Sequence, residues 1–134
     1  MIIVVGYAPT PPGQAALLAA IDVARQQGGS LVVLNSSRGD ALSDPGFAQP
    51  ADLEWVRATC ADAGVECSIR QEVRGREASE ELVDLLHEVD ADLCVIGLRH
   101  RSAVGKMLLG SNAHRILMEA PCHVLSVKPS DSHG

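Results

Sequence analysis

"MIIVVGYAPTPPGQAALLAAIDVARQQGG", Met1 to Gly29, is the stretch whose reading decides the fold. It opens with a short, continuous β-branched run, "MIIVVGY", which fits a strand buried on both faces of a parallel sheet. The run stops at a turn. Thr10 has the side chain of a helix N-cap, and Pro11 and Pro12 suit a first helical turn, where a missing N–H is no loss. Leu17, Ile21 and Ala24 then recur at helical spacing until Gly28 and Gly29 end the helix. The segment is therefore a buried strand followed by an amphipathic helix.

The same unit recurs down the chain. "LVVLNSS", Leu31 to Ser37, is a second buried strand, and "RGDALSDPGFAQP", Arg38 to Pro50, is rich in turn formers and predicts a mobile loop. Pro50, Asp52 and Glu54 suit a helix start, with Leu53, Val56 and Cys60 on one face and Gly64 as the stop. "VECSIRQEV" alternates apolar and polar residues through Val65, Cys67 and Ile69, as expected of a strand near a sheet edge. Leu82, Leu85, Leu86 and Val89 mark a third helix after Gly75, and "DLCVIG", Asp92 to Gly97, is another buried strand. Ala113, Ile116, Leu117 and Ala120 give a fourth helical face, Pro121 stops it, and "HVLSVK" supplies a last strand. The polar tail "PSDSHG", residues 129–134, is expected to fray.

The order βαβαβαβαβ over residues 1–128 predicts one α/β domain: an open parallel five-stranded sheet with helices on both faces. Such sheets bind ligands outside the carboxyl ends of their strands, where the strand order reverses. The relevant ends follow Gly6, Leu34 and Ile96.

Composition narrows the ligand. A net charge of -6 argues against nonspecific nucleic-acid binding, which depends on basic surface that releases counterions. Trp55, Tyr7 and Phe47 are the only aromatic residues, too few for a base-stacking platform. The dense basic cluster is Arg99, Arg101 and Lys106, a local sign that suits a small anion. No apolar window spans a bilayer and the N-terminus lacks signal-peptide features, so a cytoplasmic protein without membrane partners is expected. Cys60, Cys67, Cys94 and Cys122 show no CxxC or metal-ligand spacing and read as packing residues.

The basic cluster lies in "GLRHRSAVGKMLLGSNAHRIL", Gly97 to Leu117. A Walker A loop would need a glycine at His100 and Ser or Thr at Met107, and a GxGxxG fingerprint is missing after the first strand. Gly110 and Ser111 instead open a helix whose free N–H groups and positive dipole end would face an anion. Gly97 would let a ligand approach the backbone without meeting a Cβ, and Arg99, Arg101 and Lys106 would complete the cradle. Against this stands a plainer account, in which Ser111 caps its helix, Gly110 relieves a turn and the basic residues are solvated. "MLL", Met107 to Leu109, reads as an apolar plug. No nucleophile–base pair or metal-ligand set is evident: the five histidines are scattered, and Glu77, Glu80, Glu81 and Asp84 read as a solvated helix face. An efficient enzyme is not expected.

At these residues the sequence resembles the universal stress protein family, from Met1 to about Lys128. The family's marker, G-x2-G-x9-G-[ST] after the fourth strand, is matched by Gly97 and by Gly110-Ser111, while His100 replaces the middle glycine. "VGYAPT" is similar to the family's first-strand turn, with Ala8 where the family has an aspartate that contacts the nucleoside. "ADLCVIGLRHRS" and "APCHVLSVK" look like its fourth-strand and terminal segments. The resemblance implies a Rossmann-like, adenine-nucleotide-alpha-hydrolase-like sheet of order 3-2-1-4-5. It also implies a regulatory module in stress response that binds ATP or another adenine nucleotide, AMP and ADP included, with or without magnesium. Carried over by position, Tyr7, Ala8, Pro9 and Thr10 would line the first turn and Ser36 the end of the second strand. Ile96, Gly97, Leu98, Arg99, His100, Arg101 and Ser102, with Gly110, Ser111 and Asn112, would surround ribose and phosphates. A homodimer through the last strand is implied as well. The alternatives are a dimeric scaffold that has lost nucleotide binding, with Ala8 and His100 as traces of the loss, and a slow ATPase. Losing the nucleoside carboxylate would cost on the order of 1.5–3 kcal/mol, about ten- to a hundredfold in affinity.

Overall fold

The structure, a computed structural model, describes residues 1–37, 46–73, 75–98 and 110–129. Among the described residues, strands and helices alternate without exception: β1 (Ile2–Gly6), α1 (Pro11–Gln27), β2 (Ser30–Ser37), α2 (Pro50–Asp62), β3 (Cys67–Val73), α3 (Ala78–Glu88), β4 (Leu93–Gly97), α4 (Ser111–Glu119) and β5 (His123–Val127). The five strands pair in parallel in the order β3-β2-β1-β4-β5, the order the resemblance implies. β1 lies at the centre, and Ile3, Val4 and Val5 have no exposed surface, which is why its sequence shows no polar alternation.

Two apolar clusters hold the layers together. Ile3, Val5, Leu31 and Val33 pack against Ala16, Leu17, Ala20 and Ile21 of α1 and Val56 and Cys60 of α2. Val4, Leu34, Cys94 and Ile96 face the other way, onto Leu82, Leu85 and Leu86 of α3 and Ile116 of α4. Period-two alternation along buried strands sends neighbouring side chains to opposite clusters, so β1, β2, β4 and β5 join both, while the edge strand β3 gives Cys67 and Ile69 to the first. All four cysteines are free thiols. Burial pushes the Cys60 and Cys94 thiols up to about 12, and they serve as small core side chains.

The element ends follow from local chemistry. The Thr10 hydroxyl accepts from Gly13 N at 3.4 Å, and Gly28, left-handed at φ 73°, closes α1 by donating its N–H to Ala24 O. Asp52 receives the Gln49 N–H at 2.8 Å at the start of α2. Before β4, Asp90 takes a left-handed turn at φ 54°, and Asp92 accepts the Ile2 N–H at 2.7 Å, tying the turn to β1.

Two expectations are corrected. Leu117 does not join the buried face of α4: it is 40% exposed, because this nine-residue helix meets the core mainly through Ile116. Glu81 is not on a solvated face but only 6% exposed, with Arg76 3.7 Å away; Arg76 also pairs with Glu80 and Asp84. A charge reaches a buried position here because a guanidinium accompanies it. The expectations for Arg38 to Pro45, for "MLL" and for the tail from Ser130 lie outside the described residues.

Candidate functional site

α1 leaves the sheet between β1 and β2 on one face, and α4 leaves between β4 and β5 on the other, so the reversal point lies between β1 and β4. A cavity of about 560 Å3 opens there, at the carboxyl ends of the strands. Its apolar lining comes from Leu34, Leu82, Ile96 and Ile116, with Ala78 and Ala113 from the first turns of α3 and α4. Gly6, Tyr7, Ala8, Thr10, Pro12 and Gly13 form the side made by the β1–α1 turn, and Ser36 and Gly46 the side beyond β2. Neither a carboxylate nor a cationic side chain occurs among the described lining residues.

Three helices direct their N-terminal ends at this cavity, but they differ in what they offer. α1 begins with Pro11 and Pro12, which have no N–H, and its next two amides bond to Thr10. In α3, Ser79 N donates to the Asn112 side-chain oxygen at 3.2 Å, and the Glu80 and Glu81 amides bond to Glu77 O. α4 is different. Its N-cap is Gly110, which has no side chain to cap with, and the Ser111, Asn112 and Ala113 amides have no partner among the described residues. Asn112 and Ala113 line the cavity, so the open donors of a helix terminus face an apolar chamber.

The glycines sort by what surrounds them. A Cβ on Gly97 would overlap the Pro12 carbonyl, and one on Gly13 would overlap the Ala8 backbone. Gly97 is therefore required by the close approach of α1 to β4, and it lines the cavity as well. Gly110 is unlike both: a Cβ there would meet nothing within 4 Å, and its φ of -65° suits any residue. The turn-relief account of Gly110 fails on that angle, and the capping account of Ser111 fails because Ser111 is already the first helical residue.

Of the residues expected at the site, the fold brings Tyr7, Ala8, Thr10, Ser36, Ile96, Gly97 and Asn112 to the cavity. Pro9, Leu98, Gly110 and Ser111 adjoin it without lining it; the Leu98 N–H is instead bonded to Val127 O at 2.8 Å. Arg99, His100, Arg101 and Ser102, with Lys106, lie outside the described residues. The Tyr7 ring stacks on Trp55 at 6.4 Å, and burial, aided by the Asp52 carboxylate, pushes its phenol from the ordinary 10.0 to about 12. Asn112 also has a second task, as the cross-helix cap of α3. The sequence points to the strand end at Leu34 but not to Gly13 or the apolar members Leu82 and Ile116. Gly13 stood in plain view one turn into α1, but the others look like any core residue until the sheet is assembled.

Sheet order, helix placement and a ligand-sized cleft at the switch point define a Rossmann-like α/β fold, of the kind that can take a ligand at that point. Comparison with known proteins narrows the class: the model of the universal stress protein family matches residues 1–128, and the chain belongs to that family. It is 47% identical over 133 residues to a universal stress protein of Mycolicibacterium smegmatis, covering 99% of each chain. Its fold is similar to that of a universal stress protein from Archaeoglobus fulgidus, with a TM-score of 0.81 and 30% identity over 96% of this chain and 98% of that one. A structure of the universal stress protein from the same organism in complex with dAMP has a TM-score of 0.71 and 27% identity, over 96% and 98% of the two chains.

Proposed function

We propose that the cleft binds an adenine nucleotide and that the protein is a nucleotide-responsive regulatory module in stress response, not an efficient enzyme. The observation that carries this reading is the first turn of α4. Its amides, without a partner among the described residues, open onto an apolar chamber, an arrangement suited to a phosphate at the helix end and a base against Leu34, Ile96 and their neighbours. The dAMP complex of the Archaeoglobus fulgidus relative supports the adenine assignment.

One feature favours a monophosphate over magnesium-bound ATP: the described lining holds no carboxylate for a metal ion. Ala8 offers none to the nucleoside of either. Affinity then rests on shape, apolar contact and backbone donors. In this proposal the charge for the phosphate comes from Arg99 and Arg101, as the sequence leads one to expect.

The protein is proposed to act in the cytoplasm as a homodimer through β5. β5 is an edge strand bearing the exposed Leu125, and the preceding helix exposes Leu117 and Met118, the latter by 72%. In the rival reading the same dimer forms without any nucleotide. Thermal shift with AMP, ADP and ATP at millimolar concentration, with and without magnesium, separates the two. AMP is expected to raise the melting temperature without magnesium, and no shift with any nucleotide would refute the binding reading.

A further inference from the structure

Asn35 is fully enclosed at the carboxyl end of β2, 1% exposed, and all its hydrogen-bonding capacity is in use. Its Nδ2 donates to Tyr7 O at 2.9 Å and to Gly46 O at 2.8 Å. Its Oδ1 accepts from Ala48 N at 2.8 Å and from Gln71 Nε2 at 3.1 Å. The two halves of the amide therefore do different things. The donor half holds two residues that line the cleft, Tyr7 from the β1–α1 turn and Gly46 from the segment before α2. The acceptor half ties that same segment back to Ala48 and to β3.

Neither Tyr7 nor Gly46 is held at this point by the sheet ladder alone. Tyr7 lies one residue beyond β1, and although its N–H bonds to Leu34 O at 2.8 Å, its carbonyl is directed to Asn35. Gly46 precedes α2 by several residues. Two chain segments far apart in sequence thus meet at the cleft through one buried side chain. Buried polar groups with every valence satisfied fix one arrangement, since any displacement leaves an unpaired group out of water.

From this geometry we infer that Asn35 is a positioning residue of the ligand site: it fixes the distance between the two walls made by the β1–α1 turn and the Gly46 segment. The inference rests on the cleft being the ligand site, and it adds a residue that touches no ligand but sets the width of the opening.

The substitution that tests it is Asn35→Asp, nearly identical in shape. It keeps the acceptor half and turns the donor half into an oxygen facing two carbonyls. Gln71→Leu is the companion variant, because it removes the Gln71 bonds to Asn35 Oδ1 and to Ala48 O, at 3.1 and 3.0 Å, and leaves both Asn35 cleft contacts in place. AMP affinity is measured by calorimetry on the full chain well below each variant's melting point, and amide hydrogen exchange is followed over residues 7–10 and 46–48. Asn35→Asp is expected to lose on the order of tenfold or more in affinity and to speed exchange in both segments, while Gln71→Leu keeps wild-type affinity. A merely structural role would lower the melting points of both variants and leave both affinities alone. Asn35→Ser, which replaces the two amide donors by one shorter hydroxyl that cannot hold both carbonyls, is read the same way should the aspartate variant not fold. Wild-type affinity and wild-type exchange in the Asn35 variant overturn the inference. If the wild-type chain binds no AMP, the nucleotide reading fails, and the exchange data alone decide whether Asn35 holds the two walls.

Discussion

Gly97 and Gly110 occupy equivalent-looking places in a family marker, yet the structure gives them opposite reasons. Gly97→Ala would force the Pro12 carbonyl away from β4, and a loss of about 1–3 kcal/mol in urea unfolding is expected. Gly110→Ala meets open space and should cost no more than about 1 kcal/mol, the usual penalty for a poorer N-cap. Sequence spacing could mark both positions but not distinguish them, because the atom that needs Gly97 belongs to another element. Tyr7 permits a test of burial at the same scale, since it is the chain's one tyrosine. Its phenol is held protonated by the fold, up to about 12. Its contribution to stability is therefore complete below the ordinary 10.0 and is lost as pH rises through the folded value. Tyrosinate absorbance should titrate near 12 in the folded protein, and a midpoint at the ordinary value would show the ring to be solvated. Ala8→Asp restores a carboxylate at the first turn and should raise AMP affinity about tenfold or more in calorimetry.

At the scale of elements, the ends were the most legible features. Thr10, Pro11 and Gly28 bound α1 for reasons confined to one turn of chain, and Gly64 follows α2 with the same left-handed geometry. α4 is less legible. Its apolar spacing promised Leu117 to the core, but how much of a helix is covered depends on its neighbours, and here Ile116 alone is fully buried. Nor did spacing reveal that Asn112 caps α3 across the cleft. That bond couples two elements at the site, so Asn112→Ala should lower stability by about 1 kcal/mol, seen as a lower urea midpoint. A variant as stable as wild type would mean that water replaces the cap without loss.

For the molecule as a whole, alternating buried strands and helices implied the parallel sheet, and the sheet placed the cleft at β1 and β4. What stayed hidden was every interaction across long stretches of chain: the Asn35 bonds to Tyr7 and Gly46, the apolar lining from Leu82 and Ile116, and the Arg76 pairing that lets Glu81 be buried. Oligomeric state belongs to this scale too. Leu125→Glu with Met118→Glu should convert the proposed dimer to a monomer in sedimentation velocity, and a variant that sediments like wild type would exclude this edge. The central claim, that α4 presents its amides to a nucleotide phosphate, is tested most directly by amide chemical-shift mapping of the full chain with AMP in the absence of magnesium. The Asn112 and Ala113 amides should show large, saturable shifts together with residues of the β1–α1 turn; saturable shifts elsewhere that leave these two amides unmoved would contradict it.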